Sequence, residues 1–336
     1  MSESKSNVSS KPTIILTGFL GSGKTTYLNH ILENAGETKY AIIENEFGKE
    51  SIDSELILRA EDDVIELNNG CLCCTLNDNL YDILNTLYNR SDEYDKLVIE
   101  ATGMADPRGI AAPFLTNPAV KKQFPLTAIV CLVDAELIED QLEETIEAIH
   151  QITFSDILLI NKTDLVSEEY LLSLSKKLKN LNPLCEIFHG KQGEYPIVKY
   201  DRNIFDNIEE QEVSNQKISD IVDSQFPVST PLAHHHHSHS DVVSHTFKFD
   251  KPFDMRKLHI RMLGYLMFQS KGLYRMKGLI WVNQSEDQHL IQSVGSRLDI
   301  DKVRKWKEPE KKDSKIIMIG KNLERASLEK LFTECI

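Results

Sequence analysis

The chain has 336 residues, 41% of them hydrophobic, which excludes disorder throughout and suits one large domain plus a smaller one. A formal net charge of −14 argues against sequence-independent nucleic-acid binding, which needs clustered Lys and Arg, so any phosphate has to be gripped locally. No run approaches the roughly 20 apolar residues of a membrane span, and Met1 to Lys11 is polar; a soluble, cytoplasmic protein is expected, without membrane contact and with residues 1–11 disordered.

The first predicted element is the strand Thr13 to Thr17, an unbroken apolar run of the kind buried on both faces of a sheet. Gly18-Phe19-Leu20-Gly21-Ser22-Gly23-Lys24-Thr25 follows and opens a helix predicted over Lys24 to Asn34, the strand, loop and helix context that a phosphate cradle requires. Gly18, Gly21 and Gly23 let backbone N–H groups turn inward around phosphate oxygens, and the helix dipole adds positive potential there. Ser22 and Thr26 complete the expected nucleotide-binding set. Lys24 is expected on the β- and γ-phosphates and the Thr25 hydroxyl on Mg²⁺. A strand over Tyr40 to Ile43 then leads into Glu44-Asn45-Glu46-Phe47-Gly48. Glu44, Glu46 and Asp53 are candidates for ordering Mg²⁺, the attacking water or a second metal, or are solvated acids of an acidic chain.

Gly70-Cys71-Leu72-Cys73-Cys74 lies between a strand over Val64 to Leu67 and a helix over Leu76 to Asn89. Thiolates favour thiophilic ions, and a nearby helix N-terminus lowers a thiol pKa. Two or three sulfurs can share one ion and leave positions for a carboxylate, a water or a client ligand, which suits temporary custody. A redox pair and inert buried cysteines are the other readings of the cluster. Cys131, Cys185 and Cys335 stand alone and are read as structural.

A strand over Lys96 to Ile99 delivers Glu100-Ala101-Thr102-Gly103 to the nucleotide crevice, where Gly103 can offer its N–H to the γ-phosphate. Such a contact exists only with the triphosphate and would make a discrete switch. After a strand over Thr127 to Val133 and a helix over Glu136 to Ile149, the strand Ile157 to Ile160 ends on Asn161-Lys162-Thr163-Asp164. The Asp164 carboxylate can accept two N–H bonds from a guanine edge, whereas adenine offers no matching donors there. A buried carboxylate left unpaired by the wrong base is costly, so Asp164 is expected to discriminate. Asn161 is expected to brace the loop and the Lys162 stem to cover the base face. A helix over Ser167 to Leu181 and a strand over Glu186 to Phe188 complete an α/β alternation with a mostly parallel sheet.

From Gly190 to Ser240 the periodicity fades into a polar, acidic connector that ends in the histidine tract His234 to His239. The tract either collects divalent metal on a tether or is a solvated linker. Strands over Val242 to Phe249, Leu279 to Val282 and Lys315 to Ile319, with helices over Met255 to Phe268 and Leu323 to Phe332, predict a second, smaller α+β domain. The expected division is a P-loop domain at 12–225, a His-rich linker at 226–241 and a C-terminal domain at 242–336.

Gly18 to Thr26, Glu44-Asn45-Glu46-Phe47-Gly48, Gly70 to Thr75, Glu100 to Pro107 and Asn161 to Asp164 together resemble the CobW-like GTPases, which are P-loop metallochaperones. The segment Arg275-Met276-Lys277-Gly278-Leu279 looks like part of that family's C-terminal module. The resemblance implies Mg²⁺-dependent hydrolysis of GTP to GDP and phosphate, with Lys24, Thr25, Glu100 and Gly103 at the chemistry. It also implies that Cys71, Cys73 and Cys74 bind a transition metal beside the nucleotide, zinc first and cobalt or another divalent ion as the alternative, for delivery to a client metalloprotein. A homodimer that forms with nucleotide or metal is open to such a protein. Two departures stand out: Lys49 precedes Glu50 where many relatives carry an acid at once, and Met1 to Lys11 lacks the Cys-Pro docking motif of some eukaryotic relatives. A metal buffer or sensor built on the histidine tract, and a GTP-controlled interaction protein with redox thiols, are the competing readings.

Overall fold

The computed structural model describes residues 9–44, 54–60, 63–69, 76–198, 200, 242–269 and 271–336. The expected N-terminal disorder, Asn45 to Asp53, the cluster Cys71 to Cys74 and the tract His234 to His239 lie outside the described residues. The described residues fall into two compact units, one within Met1–Glu139, Ser155–Leu171 and Glu186–Arg202, the other within Asp140–Phe154, Leu172–Cys185 and Asn203–Ile336.

The first unit is built on a sheet whose strands are β1 (Thr13–Gly18), β2 (Tyr40–Glu44), β3 (Ser54–Ala60), β4 (Asp63–Asn69), β5 (Lys96–Glu100), β6 (Leu126–Asp134), β7 (Ile157–Asn161) and β8 (Glu186–His189). Among the described residues their order is β4-β3-β2-β5-β1-β6-β7-β8. The six strands from β2 to β8 in that order pair in parallel, and β3 and β4 add an antiparallel hairpin at one edge. Every residue of β1 and β7 is buried, which is why these strands read as continuous apolar runs instead of alternating ones. Ile14, Leu16, Val130, Leu132 and Leu159 form one face of the core with Tyr27, Leu28 and Ile31 of helix α1 (Lys24–Glu33).

Helix α2 spans Leu76–Asn89, as the sequence predicts, but α3 (Pro107–Thr116) and α4 (Pro118–Gln123) were not foreseen. Prolines hid both. Pro107 and Pro118 occupy first-turn positions behind the caps Asp106 and Asn117, where a missing N–H costs nothing. The single helix expected over Glu136 to Ile149 is two, α5 (Ile138–Glu144) and α6 (Ile146–Phe154). Thr145 makes the break, because its backbone N–H still bonds the Gln141 carbonyl (3.0 Å) while its hydroxyl accepts the Ala148 N–H (3.3 Å) as a new cap. Helix α7 covers Glu168–Leu181. The connector expected from Gly190 begins later, since Tyr195 and Val198 are buried in the core.

In the second unit β9 (Val242–Phe249), β10 (Leu273–Trp281), β11 (Asp287–Val294), β12 (Arg297–Lys305) and β13 (Ser314–Lys321) form an antiparallel sheet in the order β12-β11-β10-β13-β9. Helices α8 (Met255–Gln269) and α9 (Arg325–Thr333) bury Leu258, Met262, Leu266, Leu328 and Phe332 with Met276, Ile280, Ile316 and Met318 of the sheet. This is the expected α+β mixture, with β11 and β12 unforeseen. α6 also packs against β10 in this unit: Arg275 is buried, donates to the Phe154 carbonyl, and holds its guanidinium 5.2 Å from the Phe154 ring.

Candidate functional site

The C-terminal ends of adjacent parallel strands bring the predicted pieces together, as expected of an open α/β sheet. Pairing sets Glu44 of β2 opposite Glu100 of β5, Leu16 of β1 beside the same Glu100, Gly18 opposite Leu132 of β6, and Asp134 opposite Asn161 of β7.

In the phosphate loop Gly18, Gly21 and Gly23 all take positive φ, at 134°, 76° and 102°. At Gly23 a side chain would be strained by the positive φ, and its Cβ would lie 2.3 Å from Asn161 Nδ2 and force that amide to move. That amide donates to the Ser22 carbonyl at 2.9 Å, so Asn161 braces the phosphate loop itself as well as its own. Ser22 is fully buried. Lys24 is buried and donates from Nζ to the carbonyls of Gly18 (2.9 Å) and Phe19 (3.1 Å). Burial pushes its ammonium below the ordinary lysine value, against the pull of the nearby Glu100 carboxylate. A buried cation held largely by neutral carbonyls is suited to an anionic ligand, and this supports a phosphate as its intended partner.

Thr25 donates its hydroxyl to Glu100 Oε1 at 2.9 Å. The two are oxygen donors of the kind a hard divalent cation prefers, Thr25 at the first turn of α1 and Glu100 at the end of β5, where Mg²⁺ is expected. The donor set therefore fits that ion. Gly103 sits so close to the loop that a Cβ there would be 2.6 Å from the Leu20 nitrogen, which keeps its backbone against the phosphate cradle. Thr26 lies beside Gly193, 3.8 Å from where a Cβ would stand.

At the base end, Lys162 adopts φ 59° and holds Asp134 Oδ2 with its ammonium at 2.6 Å. Asp134 is 1% exposed and also accepts the Glu136 N–H at 3.0 Å. This carboxylate fixes the Lys162 stem, and sequence reasoning missed it. The only signal was its place as the last residue of a long apolar strand. Asp164, expected to be buried, is exposed here, and its Oδ2 accepts the Gln192 amide at 3.0 Å. The burial argument for base discrimination therefore does not apply to this form of the loop.

Among the metal candidates, Glu44 is half-buried beside Glu100, while Glu46 and the three thiols fall outside the described residues. Their flanks are informative. β3 is antiparallel to β2, and β4 to β3, so β4 runs in the direction of β2 and Asn69 leaves the sheet at the end that carries Glu44. Cys131, Cys185 and Cys335 are buried, in keeping with their structural reading.

Residues 12–189 match the family described as CobW/HypB/UreG, nucleotide-binding domain, and residues 242–336 match the cobalamin synthesis protein cobW C-terminal domain. The zinc chaperone YjiA of Escherichia coli is 32% identical over 324 residues, covering 95% of this chain and 96% of that protein. The zinc-regulated GTPase metalloprotein activator 1 of Schizosaccharomyces pombe is 31% identical over 358 residues, covering 94% of this chain and 84% of its own length. The crystal structure of Zn(II)-bound YjiA GTPase from E. coli aligns over 98% of this chain and 99% of that one, with a TM-score of 0.67 and 28% identity.

Proposed function

The chain belongs to the CobW family of the CobW/HypB/UreG nucleotide-binding proteins, and from that premise we propose that it is a GTP-hydrolysing metallochaperone. It takes zinc at Cys71, Cys73 and Cys74 and passes it to a client metalloprotein. The observation that carries the reading is the common end of the sheet. β1, β5 and β2 end there on the phosphate loop, Glu100 and Glu44, and β4 runs out there toward the cysteines. Two strand spacings, about 10 Å, separate β4 from β2. Cys73 lies four residues past Asn69, a span of at most about 14 Å. A reach of that length is enough to bring a thiol to the strand that carries Glu44.

In this reading Gly18 to Thr26 wrap the phosphates, Lys24 releases its two carbonyls to meet phosphate oxygens, and Asn161 keeps the loop in shape. Thr25 and Glu100 would hold Mg²⁺, which supplies charge neutralisation on the transferring phosphoryl group. Gly103 meets the γ-phosphate through its N–H and is released when that group leaves. Lys162, fixed by Asp134, lines the base, and Asp164 accepts the guanine edge. A change of contacts around Glu100 and Glu44 would then pass to the ion next to them.

The test is a zinc competition titration on three full-length proteins: wild type, Cys73→Ala, and a deletion of His234 to His239. Loss of tight zinc binding in Cys73→Ala, with the deletion close to wild type, is the expected result. The reverse pattern would make the protein a metal buffer whose nucleotide turnover is secondary.

A further inference from the structure

The carboxylate assigned to guanine already has an amide on it. Gln192 is at the tip of a tight turn closed by Lys191 N–H to the Glu194 carbonyl (3.1 Å) and Glu194 N–H to the Lys191 carbonyl (2.8 Å). Both central residues are left-handed, Gln192 at φ 51° and Gly193 at φ 85°, and the first of these is a conformation that a side chain with a Cβ rarely adopts. The turn is anchored on three sides. Gly190 donates to the Ile160 carbonyl at 2.8 Å, and its own carbonyl accepts the Thr163 N–H at 3.3 Å and the Thr163 hydroxyl at 3.1 Å. A Cβ on Gly190 would lie 2.4 Å from Tyr195 Cδ1, and the Tyr195 ring meets Tyr27 of α1 edge-on with centroids 5.0 Å apart. Gly193 rests near the Thr26 methyl. Gln192 is thus fixed relative to both the phosphate-loop helix and the loop that carries Asp164, and from there its Nε2 donates to Asp164 Oδ2 at 3.0 Å.

We propose that the Gln192 carboxamide is an internal stand-in for the guanine edge. It gives Asp164 an N–H donor of the type guanine brings, keeps the carboxylate oriented when no base is bound, and must be displaced before the base can enter. The proposal rests on the assignment of Asp164 to the base. Its consequence is a uniform handicap on nucleotide binding, because the Asp164 to Gln192 bond breaks whether two phosphates or three are attached. The bond is charge-assisted but exposed, so removing it is expected to tighten binding by about threefold to tenfold.

Affinities for GDP and for a non-hydrolysable GTP analogue would be measured on nucleotide-stripped, full-length protein carrying Gln192→Ala, Gln192→Gly, Asp164→Ala, or Asp164→Ala with Gln192→Ala. The expected result is tighter binding in both Gln192 variants, by the same factor for the two nucleotides, and no effect of Gln192→Ala once Asp164 is gone. Unchanged or weaker binding in both single variants overturns the proposal. Tightening in Gln192→Gly alone overturns it as well, since backbone relief would then be the cause. So does tightening that persists without Asp164. A separate outcome concerns only the underlying assignment: if Asp164→Ala keeps the affinity for GDP and the preference over ADP, the carboxylate does not read the base.

Discussion

Lys24 is held at a desolvation cost: two backbone carbonyls bond its ammonium and the Glu100 carboxylate favours its charge, yet burial outweighs them and pushes its pKa down. Desolvating an ammonium costs several kcal/mol, and neutral carbonyls return only part of that. Lys24→Met should therefore leave the melting temperature unchanged or raise it, while phosphate release from GTP falls by about a hundredfold to a thousandfold, the usual effect of deleting one donor aimed at a developing negative charge. A calorimetric melt and a phosphate-release assay on the same preparation check both halves, and turnover within tenfold of wild type would remove Lys24 from the chemistry. The residues of this site were unequally legible in the sequence. Lys24, Thr25 and Asn161 are set by local spacing inside a loop, so the string of letters reveals them. Asp134 faces Lys162 only because β6 and β7 pair in a register that brings Asp134 level with Asn161, and Gln192 reaches Asp164 only because its turn is left-handed. Both depend on geometry that a linear pattern does not carry.

At the scale of elements, the strands buried on both faces were readable, because burial leaves a run such as Ile157 to Ile160 with no polar member. Strands with a polar face were read unevenly, with β9 foreseen and others not. β11 (Asp287–Val294) and β12 (Arg297–Lys305) mix charged and apolar residues, and β10 extends well before the expected Leu279 because Arg275 and Lys277 made its first half look exposed. Both residues are in fact buried, on the face of β10 opposite Met276 and Ile280. Arg275 matters to its neighbour, since it caps the last carbonyl of α6, where the helix dipole is negative and the backbone acceptor has no partner within the helix. Arg275→Met keeps the volume and removes the donor, leaving that carbonyl buried without its bond. A loss of about 1 to 3 kcal/mol is expected, read as a lower urea midpoint at unchanged slope. A midpoint equal to wild type would mean that the cation over the Phe154 ring and its carbonyl bond contribute nothing to holding α6 against β10.

For the molecule as a whole, a metallochaperone differs from an enzyme that happens to bind zinc in one thermodynamic respect: nucleotide and cargo must change each other's affinity. Any such coupling is reciprocal, so the factor by which the GTP state alters zinc affinity equals the factor by which zinc alters affinity for the GTP analogue. The path proposed for it is short. Gly103 lies against the Leu20 backbone of the phosphate loop, Glu100 accepts the Thr25 hydroxyl, and Glu44 stands opposite Glu100 in the sheet, at the end from which β4 runs toward the cysteines. Couplings of this kind are typically about 1 to 3 kcal/mol, so zinc affinity is expected to differ by roughly 5-fold to 150-fold between the GDP and GTP-analogue forms. Two independent titrations check this, one of zinc against a competing chelator at saturating GDP or GTP analogue, the other of both GDP and GTP analogue with and without zinc, the ratio of zinc's effects on the two nucleotides being the factor to compare. Equal zinc affinity in the two nucleotide forms would leave hydrolysis with no means of driving delivery. Unequal factors from the two titrations would instead reveal a third linked equilibrium, of which a nucleotide-dependent or metal-dependent dimer is the first to examine, because association adds its own free energy to one arm of the cycle and not the other.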